Sequence, residues 1–146
     1  MKSPEEVKGL VAEIKMETVL KQEGTVERHL FEEMGKVLHM NGSHYIRYEE
    51  THDNKTIPVT IKITADGIVS LIRRGETTTS LRFDANEWTE TNYQVATGIL
   101  VVRVKTEELM VQYSEHPFSG ELSINYGLYI GEEKLGDYQM RLRFTT

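Results

Sequence analysis

His39 and His44 flank the dipeptide Asn41-Gly42. Asn-Gly favours a two-residue hairpin loop, because a type I′ turn needs positive φ at both central positions. Such a loop sets the two imidazoles directly opposite one another with close side chains, which is half of a site for zinc or a similar ion. A third ligand would have to come from His29, His52 or a carboxylate, and no spacing holds one in place. Two surface imidazoles near a hairpin tip are the simpler reading, so no metal and no cofactor is assigned.

Arg74 is the second candidate. Taking Asp66-Gly67 and Gly75-Glu76 as two-residue loops places Val59, Ile61, Ile63, Ser70, Ile72, Arg74, Thr77, Thr79, Leu81 and Phe83 on one face of three strands. A cation on a mostly apolar face, beside Ser70 and threonines, could bind a carboxylate or phosphate. The competing reading has Arg74 snorkelling to a rim. Arg73 is then sent outward among Thr60, Lys62 and Thr64, so Arg74→Ala is expected to weaken an acidic ligand and Arg73→Ala to change little. Tyr126 and Tyr138 are inward by alternation and could offer hydroxyls to the same ligand.

The acidic pairs Glu32-Glu33, Glu49-Glu50, Glu107-Glu108 and Glu132-Glu133 do not converge on one bond, because neighbours on a strand point to opposite faces. They are expected on solvated loops and outer faces. No nucleophile elbow and no phosphate-cradling glycine loop occurs.

These residues must be positioned by strands. Leu122, Ile124, Tyr126, Leu128 and Ile130 alternate with mostly polar residues, and so do Tyr138, Met140, Leu142 and Phe144. Period two is the mark of a half-buried antiparallel sheet. Residues 7–22 alternate in the same way. Residues 26–40 also fit a helix through Leu30, Phe31, Met34, Val37 and Leu38, but the hairpin that follows favours a strand. Further strands are expected near 93–106, 109–114, 120–131 and 137–145. About eight to ten strands in a meander favour an up-and-down barrel over a sandwich. Pro58 and Pro117 belong near strand ends or edges.

The chain has 146 residues, 38% of them hydrophobic, which suits one domain spanning 1–146. With 23 acidic and 17 basic side chains its net charge is −6, which disfavours nucleic acid and anionic membranes as partners. No cysteine is present, so thiol chemistry is excluded. The first residues are acidic and lack an apolar leader, so a cytoplasmic location is expected.

The succession Arg73-Arg74-Gly75, Leu81-Arg82-Phe83, Tyr93, Thr97-Gly98-Ile99-Leu100, Thr106, and Gly120-Glu121-Leu122-Ser123-Ile124-Asn125-Tyr126 with Leu128 resembles the YwiB-like family of small bacterial proteins. That resemblance covers roughly residues 7–145 and implies a calycin-like barrel, similar to lipocalins, with no function attached. A lipocalin Gly-x-Trp near the first strand is absent, and the single tryptophan is Trp88. The expected function is a non-enzymatic barrel that binds a small, partly apolar molecule through Arg74, Ser70, Tyr126 and Tyr138. The alternative is a filled barrel acting as an interaction or structural module through its outer face or a strand edge, and a homodimer fits either.

Overall fold

The computed structural model describes residues 9–146, and every element in it is a strand. The strands are β1 Leu10–Gln22, β2 Thr25–Met40, β3 Ser43–His52, β4 Lys55–Ile63, β5 Val69–Arg74, β6 Thr78–Phe83, β7 Thr89–Val95, β8 Gly98–Ser114, β9 Ser119–Ile130 and β10 Glu133–Thr145. They form one antiparallel sheet in the order β6-β5-β4-β3-β2-β1-β10-β9-β8-β7. The result is an all-β, calycin-like meander barrel, nearly closed. At the remaining seam β6 and β7 meet through threonine hydroxyls: Thr89 donates to the Arg82 carbonyl and Thr91 to the Ser80 carbonyl.

Burial follows period two. Ala12, Ile14 and Met16 are buried while Glu13 and Lys15 are exposed; Leu122, Ile124 and Tyr126 repeat the pattern on β9. Residues 26–40 are a strand, as expected, paired with β1 from Gln22↔Thr25 to Leu10↔Val37. Leu30 and Met34, which fit the helical spacing, lie exposed on the surface, so that spacing marks no buried stripe.

Two boundaries differ from expectation. The strand expected at 93–106 is cut by a turn at Ala96-Thr97, where Val95 pairs with Gly98. The break expected between 106 and 109 is instead a bulge between Thr106 and Glu108, inside the continuous β8.

The larger correction is one of register. Thr64 bonds Ile68 and closes a loop of Ala65, Asp66 and Gly67, with Gly67 at φ 88°. Its three-residue form, with a glycine in the left-handed region, replaces the two-residue turn read from Asp66-Gly67. Ile63 therefore pairs with Val69, Ile61 with Leu71 and Val59 with Arg73. At the next hairpin Arg74 pairs with Thr78, so Gly75, Glu76 and Thr77 form the loop. Each loop is one residue longer than expected, and the two errors cancel for β4 and β6. Only β5 is turned over: Val69, Leu71 and Arg73 face the interior, and Ser70, Ile72 and Arg74 face out.

Gly35 sits where β2 and β3 part. A Cβ there would stand 2.3 Å from the Arg47 carbonyl oxygen and 2.5 Å from Ile14 Cδ1. Backbone cannot give way cheaply, so Gly35→Ala should cost about 1–3 kcal/mol in urea denaturation, the usual scale of overpacking. Gly24→Ala, with nothing within 4 Å but a φ of 82°, should lose only about 1 kcal/mol to backbone strain.

Candidate functional site in the barrel mouth

The type I′ turn at Asn41 and Gly42 (φ 55° and 78°) starts β3 in a register that carries Ile46, Tyr48 and Glu50 inward. Glu50 is 1% exposed. Taking an ionised carboxylate out of water costs several kcal/mol unless charges and hydrogen bonds compensate. Arg73 supplies both, donating from Nε to Oε1 at 2.9 Å and from Nη2 to Oε2 at 3.4 Å. The Tyr48 hydroxyl donates to Oε2 at 3.3 Å, and His52 Nε2 lies 3.4 Å from Oε1. The pairs Tyr48↔Val59 and Val59↔Arg73 bring β3 and β5 into one row across β4.

Burial works against the Arg73 charge, but the hydrogen bonds and attraction of Glu50 outweigh it and raise the guanidinium pKa. Burial, and then the Glu50 charge, push the Tyr48 phenol far up, so it stays a neutral donor. Across the interior Tyr126 and Tyr138 are paired on β9 and β10 and stacked with ring centroids 5.1 Å apart at 6°. Burial raises both phenols. Thr106, opposite Tyr126 on β8, is 7% exposed and its hydroxyl has no hydrogen-bond partner. Deeper down the interior is packed with apolar side chains, Phe83 lying 4.6 Å from Tyr126 and Phe118 5.3 Å from Phe144.

A cavity of about 730 Å³ opens at the β4–β6 end, lined by Lys55, Ile57, Arg73, Arg74, Glu76 and Thr79 among others. Lys55, Arg73 and Arg74 meet Glu76 and, behind Arg73, the Glu50 carboxylate, so the mouth carries one net positive charge in a chain of net charge −6. Lys55 and Glu76 are joined at 2.8 Å on the exposed rim.

Tyr126 and Tyr138 stand on the inner face as expected. Ser70 does not: it pairs with Lys62 on the outer face of β5. Arg74 also lies outside, reaching only the rim of the cavity, and Arg73 occupies the place assigned to it. Glu50, expected on a solvated surface, is the most deeply buried charge of the site. Its parity with His44, Ile46 and Tyr48 beyond the Asn41-Gly42 turn was the available signal.

His39 and His44 are directly paired, with rings 4.5 Å apart. His44 also lies tilted against Tyr113 at 4.5 Å and stacks on Phe118 at 5.7 Å. Among the described residues no cluster of three or more His, Asp or Glu could hold a metal ion. The pair forms part of an aromatic plug at the end opposite the mouth. Burial, and then His39, lower the His44 pKa below 6.5, against a smaller opposing pull from Glu115.

Two measurements follow from this geometry. The unfolded chain binds a proton at His44 more readily than the folded one, so stability is full above about pH 6.5 and falls as the pH drops below it. The urea midpoint should therefore fall less on acidification in His44→Phe than in the parent. At the mouth, Arg73→Met strands a carboxylate that cannot reach water and should cost about 3–5 kcal/mol. Glu50→Gln should cost less, about 1–2 kcal/mol, because the Arg73 side chain is 35% exposed and its guanidinium can turn to solvent. Equal costs in denaturant titrations would mean that the pair is not the asymmetric one described.

Comparison with known proteins places the chain within its fold. A family described as "Domain of unknown function (DUF1934)" matches residues 14–142. The crystal structure of the ywiB protein from Bacillus subtilis superposes with a TM-score of 0.80 at 21% identity, covering 94% of this chain and 92% of that one. No curated protein matches the chain.

Proposed function

We propose that this chain, which belongs to the DUF1934 family of domains of unknown function, binds a small, partly apolar anion in its barrel mouth. The observation that carries this reading is the cationic cavity of about 730 Å³ at the mouth. Arg73 turns Nε and Nη2 to Glu50, which holds the guanidinium plane still and leaves Nη1 for a ligand carboxylate or phosphate. Ile57 offers the ligand an apolar wall, and Tyr126, whose phenol is within charge range of Arg73, stands with Tyr138 on the inner face outside the cavity lining. A fixed fork beside an apolar wall suits an organic acid better than an inorganic ion. Binding without chemical turnover, in the cytoplasm, is the role this arrangement fits. In a second reading, the chain acts as an interaction module, which the open edge of β2 favours.

Calorimetric titration with octanoate, octyl phosphate and octanol tests the ligand reading. Both anions should bind and octanol should bind at least tenfold more weakly, the worth of one hydrogen bond to a charged partner. Arg73→Lys, which keeps the charge but loses the planar fork, should weaken octanoate about tenfold, and Arg74→Ala should do less. Octanol binding as well as octanoate, or equal effects at the two arginines, would remove the anion from this account.

A further inference from the structure

From Thr25 to Gly35, β2 has a strand on one side only. β1 pairs with all of it, whereas β3 runs beside β2 only from Lys36 to Met40. Among the described residues no strand is paired along the other edge, and on the inner face the His52 ring of β3 lies 5.3 Å from that of Phe31. Nearly every residue of this stretch is exposed, including Val26, Leu30 and Met34 at about 60% each. A long edge with exposed apolar side chains is a template for another strand.

The β1–β2 turn settles which backbone groups that edge offers. Glu23 and Gly24 both have positive φ (43° and 82°), so Gln22 and Thr25 close a two-residue hairpin as a hydrogen-bonded pair. Counting in twos from Thr25, the odd-numbered residues bond β1. Val26, Arg28, Leu30, Glu32 and Met34 therefore turn their N–H and C=O groups to the open edge.

We propose that this edge pairs antiparallel with the same edge of a second copy, about a twofold axis at Leu30. In that register Leu30 faces Leu30 of the second copy, Arg28 faces Glu32, and Val26 faces Met34, with each pair repeated by the symmetry. Slipping to the next allowed register sets Arg28 against Leu30 or Met34. Slipping one further brings Arg28 against Arg28 or Glu32 against Glu32. Only the centred register joins both charge pairs and matches the apolar residues. On the other face His29 meets Phe31 favourably, while Glu27 meets Glu33 and offsets part of the gain.

Sedimentation equilibrium of the full chain, up to roughly 100 µM, tests the pairing. A dimer is expected. Arg28→Glu or Glu32→Arg should each raise its dissociation constant about tenfold or more, because the twofold axis doubles every like-charge contact. The double variant Arg28→Glu/Glu32→Arg should return it to within about threefold of the parent. All these positions are exposed, and circular dichroism checks that each variant folds. A monomer over the whole range, or a dimer indifferent to the swaps, overturns the proposal, and a strand from another protein then becomes the occupant to seek. None of these outcomes depends on the mouth ligand.

Discussion

The carboxylate of Glu50 has no route to water, and the structure around the mouth is organised by what that requires. Its compensation comes from Arg73, two strands away, so β3, β4 and β5 must hold their mutual register for the ion pair to close. A slip of one residue in β5 would turn Arg73 outward, set Ser70 and Ile72 against the core and leave a buried charge unpaired. Stability and register are thus tied to one polar contact inside an otherwise apolar barrel. The same contact immobilises a guanidinium at the wall of the open cavity. The side chain that holds the register is thus also the one proposed to meet a ligand.

The barrel has two unlike halves. At the Asn41-Gly42 end Phe118 and Phe144 pack in the interior, and Tyr113 with the paired His39 and His44 covers them. At the other end tyrosines, Glu50 and Arg73 replace them, and the strands separate around a cavity. A sheet this long must also manage its edges. The outermost strands β6 and β7 meet through two threonine hydroxyls in place of a ladder, and β2 from Thr25 to Gly35 is paired on one side only. Gly35 is the hinge of that arrangement, since only a residue without Cβ fits between Arg47 and Ile14 where β2 leaves β3.

The mouth and the β2 edge use different physics. The mouth offers fixed charge beside apolar wall, suited to a small molecule, and the edge offers backbone hydrogen bonds in a self-complementary charge pattern, suited to a second strand. They lie on different strands, so each could operate without the other. Likeness to the ywiB structure at 21% identity speaks for the shared barrel alone.

Alternation along the chain was enough to establish an all-β meander, because facing follows from the pleat and is set residue by residue. The same alternation turned Tyr126 and Tyr138 inward. The Asn41-Gly42 hairpin was legible too, since positive φ at both positions is a local demand, and with it came the opposed His39 and His44. The site was only half legible. Asp66-Gly67 and Gly75-Glu76 announce turns but not their lengths, and one extra residue in each loop inverted β5 while leaving β4 and β6 correct. That inversion exchanged Arg74 for Arg73 and hid the partner of Glu50, which looked like one more surface acid. Loop length is decided by how β5 packs against its neighbours, and a glycine dipeptide tolerates either form. Charge pairing across three strands and the parting of β2 from β3 arise only when distant segments are packed together, so the tertiary structure decided them.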